Sequence, residues 1–141
     1  MAVAYADKFT TAPLYNERYS DFRTNFDKNF GTGDLARLTN EDSIYTSLKN
    51  IVFTRKGERP FFPEFGCNIT SILFENYNRF TQKALETEVR TAIENFEPRV
   101  SILKVVINGK PDNNTVDLDL YFTVLNRPET YSVSFLLSRI R

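Results

Sequence analysis

The sequence predicts an α+β fold: a small mixed or antiparallel sheet packed against two main helices, with an extended N-terminal arm and a C-terminal strand at the sheet edge. Three observations carry this. Apolar residues recur twice at helical spacing in the middle of the chain, they alternate twice with polar ones in its last third, and the first 39 residues sustain neither pattern. At 141 residues the chain fits one domain with a modest core, so residues 1–39 are expected to be an arm and residues 40–141 the α+β body.

In the arm, Tyr15, Tyr19, Phe22, Phe26 and Phe30 are spaced like one helix face, but Gly31 and Gly33 follow closely and no long apolar stripe accompanies them. An extended arm ordered by contacts is therefore expected. A first helix should begin near Thr39, where Thr39 and Asp42 have capping-box spacing, and should bury Ile44, Leu48, Ile51 and Val52. Lys56-Gly57 stops it, because glycine takes a left-handed backbone without steric cost. Asn68 can cap a short helix carrying Ile69, Ile72 and Leu73 on one face, and Thr81 a longer one that reaches about Phe96 and buries Leu85, Val89, Ala92, Ile93 and Phe96. Glu86, Glu88, Arg90 and Glu94 fall elsewhere, as a solvated face.

Pro98 ends that helix and stiffens a helix-to-strand corner at Glu97-Pro98-Arg99. Beyond it, residues 100–107 form a β-branched run and residues 109–114 a turn-rich connection. Val116, Leu118, Leu120, Phe122 and Val124 then alternate with Asp117, Asp119, Tyr121 and Thr123, which predicts one face on the helices and one in water. Arg127-Pro128 breaks the pairing. Tyr131, Val133, Phe135 and Leu137 alternate again, in a terminal strand over residues 130–137.

Composition narrows the function. Eighteen basic and 18 acidic side chains leave no global field for nucleic acid or an anionic membrane, so neither partner is expected. No run approaches the roughly 20 apolar residues that span a bilayer, and the start lacks a signal-peptide layout. With no histidine, a Ser-His-Asp triad, a Cys-His pair and the ordinary zinc clusters are excluded, and no cofactor or metal is expected. The single cysteine, Cys67, suits a small core residue in a protein assembled in a reducing cytoplasm. An aromatic content of 14%, all Phe and Tyr, favours a binding or structural role over an enzymatic one.

The densest stretch is residues 54–76, TRKGERPFFPEFGCNITSILFEN. Pro60 and Pro63 forbid regular secondary structure and present Phe61, Phe62 and Phe65 on a nearly fixed loop. Such a loop is either buried under the rest of the fold or docked onto a partner. The order Gly57-Glu58-Arg59-Pro60-Phe61, then Pro63-Glu64-Phe65-Gly66-Cys67 and Leu73-Phe74-Glu75, resembles the signature of the baseplate wedge family of contractile-tailed bacteriophages, whose relatives sit in type VI secretion baseplates and other contractile injection systems. Tyr19 to Phe22 and Gly33 to Leu35 resemble that family's leader, and Glu97-Pro98-Arg99 its characteristic tripeptide.

The resemblance implies a structural protein of the virion tail baseplate, assembled in the host cytoplasm, that starts the tail sheath. It implies docking of Glu97, Pro98 and Arg99 onto the helical bundle of neighbouring wedge subunits, with Arg59, Phe61, Phe62 and Phe65 as further candidates. It also implies that a terminal strand carrying Tyr131, Val133, Phe135 and Leu137 accepts strands of the tail sheath protein; tube or hub proteins are further candidate partners. A type VI or other injection-system component is the alternative. A third reading, a glycosidase, needs only two carboxylates, and Glu58, Glu64 and Glu75 are its candidates; no tryptophan platform for sugar stacking accompanies them.

Overall fold

The computed structural model describes residues 19–73, 78–110, 115–125, 127 and 129–138. Tyr15, Phe74, Glu75 and Pro128, together with most of the connection at 109–114, lie outside the described residues. The chain divides into two units at the Asn40–Glu41 boundary.

The described part of the first unit is extended chain doubled back on itself. β1 (Ser20–Phe22) pairs antiparallel with β2 (Arg37–Thr39), with Ser20 opposite Thr39. Arg37 Nε and Nη2 both donate to Ser20 Oγ, at 3.1 and 3.0 Å. A Lys28–Leu35 bridge and the Asn29 amide on the Asp34 carbonyl (2.7 Å) tighten the turn. All of these bonds, backbone and side chain alike, are made within the arm. The helix-like spacing of Phe22, Phe26 and Phe30 has no helix under it, and all three rings are exposed.

In the second unit, α1 (Glu41–Phe53) and α3 (Arg79–Phe96) are the two main helices, with the short α2 (Ile69–Leu73) between them. α1 buries Ile44, Leu48, Ile51 and Val52, the stripe its periodicity predicts. Its start differs from expectation: Thr39 belongs to β2, and Asn40 precedes the helix at φ 50°, a left-handed position that asparagine tolerates better than most residues. The cap of α3 is Asn78 rather than Thr81. Asn78 Oδ1 accepts from the amides of Phe80 and Thr81, while Thr81 Oγ1 takes the Asn78 amide at 2.8 Å, so the expected cap is the far half of a capping box.

β3 (Val100–Lys110), β4 (Thr115–Val124) and β5 (Thr130–Ser138) form an antiparallel sheet in that order. Both faces follow from the register. Leu120 sits between Val105 and Val133, and Leu118 between Ile107 and Phe135, which stacks one apolar row per rung on the helix side. Tyr45 of α1 meets Phe122 edge-on, and Phe53 meets Phe135 in the same way. α3 lies along β3. Ser134 Oγ donates to Asp119 Oδ1 at 2.6 Å on the opposite, polar face.

Candidate protein-binding interface

The loop after α1 is a closed structure. The Gly57 amide donates to the Pro63 carbonyl (2.8 Å) and the Cys67 amide to the Thr54 carbonyl (2.9 Å), while Glu58 Oε2 accepts from the Arg55 amide (3.0 Å). Glu88, expected on a solvated face, braces the loop instead: one of its oxygens takes both Lys56 Nζ (2.6 Å) and the Asn68 amide (3.1 Å). The hydrogen bond from Lys56 outweighs burial and holds the Glu88 carboxyl below the usual range. Cys67 is buried, and burial, with the nearby Glu88 charge, pushes its thiol up to about 12, so it packs rather than reacts.

Of the three loop phenylalanines, two lean on the body, Phe62 with about half of it still exposed, and one points outward. Phe62 and Phe65 lie against Phe96 at the end of α3, with ring centroids 5.7 and 5.1 Å away, and the Arg59 guanidinium stands 4.3 Å over the Phe65 ring. Phe61 is fully exposed at φ 67°. A bulky side chain in the left-handed region costs about 1–2 kcal/mol, and none of that is recovered by burial here. Strained backbone of this kind clusters at active sites, ligand clamps and switch regions. Phe61→Gly is therefore expected to raise the stability of the isolated protein by about 0.5 kcal/mol, the relieved strain less the entropy that glycine adds to the unfolded chain; urea denaturation measures it.

Phe96 joins this loop to the Glu97-Pro98-Arg99 corner. Glu97 is almost fully buried, and its carboxylate accepts Arg99 Nε (2.5 Å), Arg99 Nη2 (2.6 Å) and Ser47 Oγ (2.5 Å). Burial raises the Glu97 pKa, but these hydrogen bonds and the Arg99 charge overcome it and hold the carboxyl below the ordinary range. The two-pronged contact that a planar guanidinium can offer a carboxylate is thus made with Glu97, inside the molecule. Pro98 is the exposed member of the three. Spacing offered no signal for Ser47, which comes from a different helix 50 residues away.

At the other candidate surface, Phe135 and Leu137 are buried and Tyr131 and Val133 half-buried, all on the helix side of the sheet. Their side chains serve the core, so what β5 offers a partner is backbone. Its start is fixed by Tyr131 Oη, which bonds Glu41 Oε1 (3.2 Å) and Glu129 Oε2 (3.0 Å), and by an Arg127–Glu41 ion pair. The two sheet borders differ. β3 carries a bulge between Ile102 and Lys104, and Gln82 Nε2 of α3 donates to the Ile107 carbonyl (2.8 Å). β5 pairs with β4 through nine regular rungs, has no charged residue and no proline, and has no strand on its other side among the described residues. Natural edges are normally blunted by such devices as those on β3; β5 shows none of them.

Of the carboxylates considered for glycoside hydrolysis, Glu58 and Glu64 are exposed, Glu58 is bonded to its own loop, and Glu75 lies outside the described residues.

Comparison with known proteins places these features in context. The model of the family described as baseplate wedge protein gp25 matches residues 38–129. The baseplate wedge protein gp25 of Enterobacteria phage T4 is 36% identical over 114 residues, 81% of this chain and 86% of that protein. A crystal structure from Geobacter sulfurreducens, of a protein named as a candidate tail lysozyme, superposes with a TM-score of 0.66 at 26% identity, over 72% of this chain and 92% of that one. A chain of the anti-feeding prophage baseplate gives 0.60 at 15% identity, covering 87% of each, and one of the contracted pyocin R2 baseplate gives 0.57 at 22%, covering 70% and 96%. At those identities the last two show a shared fold.

Proposed function

This chain belongs to the baseplate wedge protein gp25 family, and from that premise we propose that it is a non-enzymatic structural subunit of a contractile tail baseplate in the virion, anchored to neighbouring wedge subunits at one face and seeding sheath polymerisation at another. The observation that carries the seeding half is the contrast between the two sheet borders. β3 is bulged and engaged by Gln82, whereas β5 is long, uncharged and open among the described residues. Each inter-chain backbone hydrogen bond contributes about 1 kcal/mol net, so four or five give a weak, directional contact that a ring of copies strengthens by avidity.

The anchoring half rests on the exposed Phe61, Phe62 and Arg59 of the loop and Pro98 of the corner, two segments that meet at Phe96 through Phe62 and Phe65. The Glu97–Arg99 pair fixes the shape of that corner from within. A helical bundle of wedge subunits suits an aromatic knob beside a rigid corner, because buried aromatic anchors dominate interface energetics.

Val133→Lys tests the seeding reading: it keeps β5 and its buried Phe135 and Leu137 while placing an inward-pointing charge, a natural edge-blocking device, at a half-covered border position. Baseplates should assemble at normal yield and remain bare of sheath in electron micrographs; sheath of normal length on such baseplates overturns it.

A further inference from the structure

We propose that the strand accepted by the open β5 edge is selected by its side-chain pattern: an apolar residue that seats on Phe53 and, two positions away on the same face, an acidic residue that meets Lys49. This rests on the strand-addition reading above and adds the chemistry of the partner to it.

The helix-side row of the sheet is closed in the middle and open at the β5 border. Leu120 and Phe122 of β4 are almost completely buried, yet Val133 and Tyr131, their rung partners on β5, are only half-covered. Any strand added beside β5 must place alternate side chains into that gap. The floor of the gap is α1, which runs in the same direction as β5: Glu41 near its start bonds Tyr131, and Phe53 at its end touches Phe135.

Phe53 is half-exposed although it contacts the core, a ring edge left open on the flank of the helix. Lys49 precedes it by one turn, is exposed, and has no ion-pair partner among the described residues. Four helical residues advance about 6 Å, and two strand residues about 6.6 Å. Phe53 and Lys49 therefore match consecutive inward-facing positions of one extended chain. An apolar side chain satisfies the first and a carboxylate the second by charge complementarity. On the outward face, Thr130, Ser132, Ser134 and Ser138 call for polar neighbours and the exposed Leu136 for an apolar one. The occupant is a β-strand of alternating pattern, apolar and acidic inward and polar outward except beside Leu136.

The test uses the full-length protein and labelled eight-residue peptides: one with the inward Leu-x-Glu pattern, one with Lys for the Glu, and one shifted by a single residue. Fluorescence anisotropy reads binding, and amide exchange over residues 130–138 reads the location. The patterned peptide should slow exchange on β5 and the shifted one should not. F53S should weaken it about tenfold, the effect of removing a buried aromatic contact. K49E should favour the Lys peptide over the Glu peptide by about two- to fivefold, as expected for a partly solvated pair. Because Lys49 is exposed, that reversal is readable even if F53S proves unstable. Equal protection of β5 by patterned and shifted peptides, or indifference to both substitutions, overturns this inference and leaves strand addition standing. If no peptide protects β5, both fall.

Discussion

Arg99→Ala should lower the unfolding free energy by about 3 kcal/mol, the lower end of the range for breaking a buried ion pair because the guanidinium is partly solvated. Its carboxylate partner is not solvated: Glu97 would keep Ser47 Oγ as a hydrogen-bond donor but lose both contacts from the guanidinium. For a chain of this size that is a fall of about 10 °C in melting temperature. The pH dependence separates this role from direct contact with a partner. The folded-state pKa of Glu97 lies below its unfolded value, so the pair stabilises the fold fully above the ordinary glutamate range and loses that contribution as pH falls through the folded value. Wild type should therefore lose stability on acidification over that window, and Arg99→Ala should be flatter across it. Equal stability of variant and wild type at neutral pH would show that the pair contributes nothing to the fold, returning Arg99 to a role in partner contact.

The second large effect is expected at Gly66. Its φ is +107°, and a Cβ there would overlap the carbonyl oxygen of Thr54 and approach the carbonyl carbon to 2.9 Å. Backbone strain of about 1–3 kcal/mol and a comparable overpacking cost combine to about 4 kcal/mol for Gly66→Ala. The contact cannot relax cheaply, because the same Thr54 carbonyl accepts the Cys67 amide and Cys67 is buried. Gly57 is the control. It also has a positive φ, +85°, but open space around the Cβ position, so Gly57→Ala should cost only about 1 kcal/mol of conformational strain. Thermal denaturation of the two variants measures the difference. Equal losses at the two positions would mean that the close approach to Thr54 is not what demands glycine at 66.

The comparisons bear out the family resemblance read from the loop signature and the tripeptide, and the α+β class that the two periodicities predict. The family model begins at residue 38, within β2, whereas the likeness to the phage T4 wedge protein spans 114 residues and so reaches back into the ribbon. Its aromatic spacing misleads because Phe22, Phe26 and Phe30 are set by a ribbon and its turn, in which Phe26 and Gly33 take positive φ, not by a helical period.

Local pattern determined the helices, the strands and their inward faces, since burial period is a property of neighbours along the chain: Leu118, Leu120 and Phe122 were legible for that reason. Contacts between residues far apart were not. Ser47 on Glu97, Glu88 beneath the loop, Phe96 between loop and corner, and the unequal treatment of the two sheet borders exist only once the chain has closed on itself. A charged residue at a corner reads the same in sequence whether its partner is foreign or its own. Burial decides which, because a carboxylate removed from water must find its counter-charge within reach, and Arg99 is two residues away.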